Sequence, residues 1–143
     1  HDNSLELEGH KLTVVKTGHT DTDDSTTLWV PSIGLAVVGD AVYANTHPFL
    51  GESGSKAARA GWIAALEKIA ALSPRWVVGG HSDPEKGFDP KAIQETKEYL
   101  LNFDKLALET KTAVELYNRM LQLYPDRLNP GSAWSGAILV KDE

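Results

Sequence analysis

Three residues of this chain have side chains suited to holding a divalent metal, and each follows a glycine after an apolar, β-type run. They are His19 in Thr17-Gly18-His19-Thr20, Asp40 in Val37-Val38-Gly39-Asp40, and His81 in Val77-Val78-Gly79-Gly80-His81. Imidazole and carboxylate are ligands that zinc and similar metals prefer. The C-terminal ends of sheet strands are where α/β folds gather ligands and chemistry. A metal hydrolase needs several such groups converging from separate strands, with one position open for water. The bound water then titrates near 7 instead of about 15.7. Glycine before each candidate lets the backbone turn sharply and leaves room beside the metal. The blander alternatives are a loop histidine among the hydrogen-bonding Thr/Asp residues 20–24, a turn cap at Asp40, and a loop anchor at His81.

The elements that must position these groups follow from residue pattern. Residues 5–9 alternate and end in glycine, which predicts a strand and turn. Residues 12–17 and 26–30 predict the next strands, the latter stopped by Pro31. Residues 35–38 form a further strand, hairpin-paired with 26–30. Ala58, Trp62, Ala65, Leu66, Ile69 and Leu72 share one face of a predicted helix over 55–72, ended by Pro74. A short buried strand at 75–78 then lies parallel to 35–38, making a βαβ unit. Asp89-Pro90 predicts a helix start, and Thr112-Ala113-Val114-Glu115 reads as a capping box. Two helices, about 90–108 and 112–123, are expected. Residues 129–140 read as a tail carrying Trp134.

The bulk numbers set outer limits. A length of 143 residues is one domain or a piece of one. An apolar share of 41% suffices for a core. A net charge of −6, without a Lys/Arg stripe, argues against a nucleic-acid partner. No cysteine is present, which excludes disulfides and thiolate chemistry. No window of about 18 apolar residues predicts a membrane span. The expected compartment is the cytoplasm. The chain opens on His1-Asp2-Asn3 with no signal peptide or initiator Met, the expected look of a trimmed or excised product.

Taken in order, the three motifs resemble the C-terminal half of a metallo-β-lactamase superfamily hydrolase. Gly18-His19-Thr20, Gly39-Asp40 and Gly80-His81 match its third, fourth and fifth ligand motifs. Their separations are 21 and 41 residues, with a helix in the longer gap. The resemblance covers roughly residues 5–103, leaving 104–143 as a helical extension and tail. It implies an α/β fold, half of an αββα sandwich, with a mixed sheet and helices packed on one face. It also implies a binuclear, zinc-type centre ligated in part by His19, Asp40 and His81. Asp40 would bridge the metals, and a metal-bound hydroxide would attack an ester, lactone, thioester or amide of a small acyl substrate. The superfamily's His-x-His-x-Asp-His motif is absent; no two of His1, His10, His19, His47 and His81 stand at its spacing. The chain alone is therefore expected to bind zinc weakly or not at all, and to lack turnover. Half a sandwich also leaves a sheet face bare, so a homo-oligomer through that face is expected.

Other residues carry weaker signals. His47 is a candidate for the substrate mouth or for orienting a ligand. Tyr43 is a candidate donor to a substrate oxygen, with a core tyrosine as the plainer reading. Asp23 and Asp24 read as solvated loop acids and His10 as structural. Trp62 and Trp76 read as core, and Trp134 as a docking anchor. The competing functional readings are a non-catalytic half-domain for self-association or interaction, and a mononuclear site of His19, Asp40 and His81.

Overall fold

A computed structural model describes residues 3–141. The described residues form one five-stranded sheet, four α-helices and a 3₁₀ turn at Pro84–Lys86. The strands are β1 (Ser4–Leu7), β2 (His10–Gly18), β3 (Ser25–Val30), β4 (Leu35–Ala44) and β5 (Trp76–Ser82). They lie side by side in chain order. β1 to β4 pair antiparallel, and β4 pairs parallel with β5. β2, β4 and β5 therefore run the same way, so their C-terminal ends share one rim of the sheet. Glu8 and Gly9, both at positive φ, make the turn between β1 and β2.

The parallel step from β4 to β5 is bridged by α1 (Lys56–Ala71), as the βαβ reading requires. Ser55 caps α1 by accepting from Ala58 N. α2 (Lys91–Glu109) starts where Asp89 accepts from Lys91 N. α3 (Ala113–Leu123) carries the full Thr112/Glu115 capping box. Residues 130–141, expected as tail, instead form α4 (Pro130–Lys141). Its Pro sits at the first helical position, where a missing N–H costs nothing. Ala133, Gly136 and Ala137 are buried and let the helix approach closely; Gly136 lies against Leu50. Trp134 docks edge-on to Tyr117 of α3 at 5.4 Å.

Side chains directly opposite each other on paired strands share a face. One face carries Thr13, Trp29, Ala36 and Val77 in register. α1 and α2 cover it. Trp62, Leu66, Ile69, Leu100 and Phe103 are fully buried in the resulting core, and burying each such side chain contributes about 1.5–3 kcal/mol. Trp62 also donates its indole N–H to Ala41 O at 2.8 Å. The other face carries Leu5 with Leu12, then Val14, Leu28, Val37 and Val78, then Val30, Leu35 and Trp76. None of these nine belongs to the buried core. Trp76, expected in the core, is 50% exposed because its register puts it on this open face.

Candidate functional site

The rim at the C-terminal ends of β2, β4 and β5 holds the site. Asp40 does not end its strand as expected. β4 runs on to Ala44, and Gly39, at φ +56°, turns the chain within a shifted register. The bulge re-aims Asp40 without ending the pairing with β5. On β5, which also extends past the expected end to Ser82, Tyr43 lies opposite His81. His81 Nδ1 is 2.9 Å from Asp40 Oδ1. The His81 ring lies parallel to that of Tyr43, with centroids 5.7 Å apart. The glycine pair lets β5 and the Asp40 side chain approach closely. A Cβ at Gly80 would sit 2.1 Å from Asp40 Oδ1, and one at Gly79 would sit 2.4 Å from Val42 O.

His19 leads the loop after β2, and α1 passes close by at Gly61. Its two ring nitrogens are already engaged. Nε2 is 2.8 Å from Ser53 Oγ, and Nδ1 is 2.6 Å from Asp23 Oδ1. Ser53, fully buried, also lies 2.8 Å from Thr20 O, so its hydroxyl bridges that carbonyl and the imidazole. The Asp23 carboxylate accepts from Nδ1–H. To ligate a metal, His19 must part from one of these oxygens. The structure thus joins Asp40 and His81 and turns His19 toward Ser53 and Asp23. Asp23, read as a solvated acid, is exposed and serves as that partner; Asp24 is exposed at φ +55°.

A cavity of about 220 Å³ opens beside Asp40 and His81, with Asp21, Tyr43 and Phe49 in its walls. Asn129 and Ser132, at the start of α4, close it. Burial, and then the charge of Asp40, hold the Asp21 carboxyl above the usual carboxylate range, against a hydrogen bond from Thr20. Burial first, then Asp40 and Asp21, push the Tyr43 hydroxyl well up, so it stays a neutral donor. Tyr43 is 2% exposed, at once a core residue and a wall of the cavity. Sequence reasoning missed Asp21, Asn129 and Ser132 as site residues. The only signal for the last two was Asn-Pro as a helix start.

His47 stands apart from that cavity's walls. It is fully buried, its Nδ1 2.9 Å from Tyr99 Oη. Among the described residues Nε2 has no hydrogen-bond partner. Burial first, and then Arg127, lower its pKa to about 4. Arg127 stacks over Tyr99 and Tyr124 and donates to the carbonyls of Tyr43, Thr46 and Glu95. That network ties the chain after α3 to the loop after β4. His10 opens β2 and is exposed.

Among the described residues no group of three or more His, Asp or Glu side chains is arranged to hold a metal ion. Asp40 and His81 suit zinc in type. They fall short of the three protein ligands a catalytic zinc centre keeps.

A family model for the metallo-beta-lactamase superfamily matches residues 1–81. Among solved structures, a metallo-beta-lactamase family protein from Thermus thermophilus is similar at 22% identity and a TM-score of 0.65. That likeness covers 98% of this chain and 46% of the other. A metallo-beta-lactamase from Pontibacter korlensis is similar at 21% identity and a TM-score of 0.56, covering 71% and 46%. The chain thus spans less than half the length of these structures. No curated protein matches it.

Proposed function

From a chain that belongs to the metallo-β-lactamase superfamily, we propose the C-terminal part of a metal-dependent hydrolase acting on an ester, lactone, thioester or amide of a small acyl substrate. The observation that carries this reading is the Asp40–His81 contact at a glycine-cleared rim. Asp40, His81 and a released His19 would serve as ligands, completed by donors from outside the described residues. A binuclear zinc centre, when bound, supplies Lewis acidity and hydroxide at neutral pH. This chain's residues do the positioning. Tyr43 fixes the His81 ring by stacking and presents its neutral hydroxyl to the cavity. Phe49 excludes water from one wall. Asn129 and Ser132 offer hydrogen bonds to a substrate opposite Asp40. Ser53 and Asp23 keep His19 near the rim until a metal competes for it.

Zinc calorimetry and an esterase, lactonase and thioesterase screen test the reading on two proteins. One is the present chain. The other carries an upstream segment with His-x-His-x-Asp-His. The chain alone is expected to bind zinc weakly and turn nothing over. The extended protein is expected to bind zinc stoichiometrically and hydrolyse at least one acyl class, with Asp40→Asn abolishing turnover. Tight stoichiometric zinc in the chain alone would overturn the incomplete-site reading. A zinc-loaded but inert extended protein would favour a non-catalytic interaction module.

A further inference from the structure

We propose that Arg59 and Asp104 are positioning residues for His19, acting through Ser53. The inference rests on the reading of His19 as a ligand of the proposed centre. Ser53 Oγ lies 2.8 Å from His19 Nε2 and 2.8 Å from Thr20 O, so it touches the imidazole and the backbone beside it at once. It can hold the ring only as firmly as it is itself held, and that grip comes through its backbone. Ser53 N donates to Leu50 O at 2.9 Å and closes the turn. Arg59 Nη1 donates to Ser53 O at 2.9 Å and to Gly54 O at 2.6 Å. Arg59 Nε donates to Asp104 Oδ1 at 2.6 Å. A guanidinium has its donors in fixed directions, so one fork ties all three acceptors in a single geometry. The path of contacts runs from α2 through α1 to the turn at Ser53, and from there to His19.

Helix stability does not account for an arginine in that place. The first turn of α1 reads Lys56-Ala57-Ala58-Arg59, which puts cations where the helix dipole favours anions. Arg59 is also only 4% exposed, and desolvating a guanidinium is costly. Asp104 offsets the charge, and the carbonyls of the turn take up the donors on Nη1. The side chain thus works against its own helix and secures the turn beneath a candidate ligand. Contacts of this outer kind orient metal-binding histidines. The partner on the other ring nitrogen offers no such reference, because the Asp23 side chain is 83% exposed on the polar loop. Ser53 is the fixed point for the ring, and the Arg59–Asp104 pair fixes Ser53.

Ring-nitrogen NMR of the present chain tests this, with His19→Gln assigning the His19 signals. Arg59→Lys keeps the charge and loses the fork. It is expected to move the His19 Nε2 resonance as Ser53→Ala does, toward that of the exposed His10. In the Ser53→Ala background Arg59→Lys is expected to add no further shift, since the path through the hydroxyl is gone. Glu67→Gln is the control. It breaks a second ion pair between α1 and α2, Lys97 Nζ to Glu67 Oε1 at 2.7 Å, and should leave the ring unmoved. Asp104→Asn is the second variant should Arg59→Lys misfold. An Nε2 resonance that ignores both would overturn the proposal. So would equal shifts with and without the Ser53 hydroxyl, or an equal shift from Glu67→Gln, since either makes the pair a helix-packing contact only. Zinc ions added to the wild-type chain keep this apart from failure of the functional reading. His19 signals that follow zinc support both. Signals that move with Arg59→Lys but ignore zinc to which His81 responds remove His19 as a ligand, and the inference falls with the reading beneath it. A ring that follows zinc and ignores Arg59→Lys overturns the inference alone.

Discussion

The two faces of the sheet are made of the same kinds of residue and end in opposite conditions. On the covered face Ala36, Val38 and Val77 are at most 4% exposed, beneath Trp62, Leu66 and Phe103. On the open face their immediate neighbours Leu35, Val37 and Trp76 remain in contact with solvent. A strand that meets water on one side alternates apolar and polar residues; one buried on both sides runs apolar without a break. Leu35-Ala36-Val37-Val38 and Trp76-Val77-Val78 are of the second kind. These strands carry a composition suited to two covered faces, and α1 and α2 cover one.

The largest expected effect measures that difference directly. Phe103→Ala empties a fully buried ring site that also seats the Arg59 guanidinium at 5.3 Å. It should cost about 3–5 kcal/mol. Val37→Ala on the open face removes methyls that already touch water, and should cost less than about 1 kcal/mol. Urea midpoints at low-micromolar protein check both. Comparable losses at the two positions would mean the open face is as well packed as the covered one.

Acid should act on the covered side as well. The unfolded His47 takes up a proton near its ordinary 6.5, the folded one near about 4. Between those values the unfolded state binds more protons, so stability falls as pH falls through that window and not below it. The loss should be on the order of 3 kcal/mol. His47→Leu should flatten this part of the urea-midpoint profile, at a constant cost from the unpaired Tyr99 hydroxyl. A wild-type profile already flat from pH 6.5 to 4 would show that the His47 pocket admits water.

How much of this was readable from residues depends on how local the deciding physics is. Ser55, Asp89 and the Thr112/Glu115 box mark helix starts by side chains that bond within three residues, and each does so here. The βαβ unit and the hairpin were equally legible, since they follow from period and chain length, while the helices on one face were expected from the family resemblance. Trp76 was not, because an apolar run does not say which face the packing helices take. The ends of β4 and β5 were missed because a bulge at Gly39 is a matter of hydrogen-bond register. α4 was missed because its buried face is made of the small residues Ala133, Gly136 and Ala137, which give no apolar stripe to read. At the site, Asp40 beside His81 was foreseen from the motifs. His19 facing Ser53 was not, for its partner lies 34 residues away on a different loop.

Where the two strands of the site touch, two substitutions separate rigid backbone from movable side chain. At Gly79 an added Cβ would meet the Val42 carbonyl at 2.4 Å, and that atom is fixed in the β4 backbone. Gly79→Ala must push the strands apart, at about 1–3 kcal/mol. At Gly80 the added Cβ would clash with Asp40 Oδ1, the end of a side chain that can rotate away, and its nearest backbone neighbour, Gly39 C, stands at an ordinary 3.5 Å. Gly80→Ala should therefore cost about 1 kcal/mol or less, while breaking the 2.9 Å contact to His81 Nδ1. Urea midpoints read the first effect, and the His81 ring resonances in NMR read the second. Gly80→Ala should shift those resonances with little change in midpoint. A large stability loss at Gly80 with an unmoved His81 would mean that Asp40 is held by the backbone, leaving the rim as rigid as the helix-covered core.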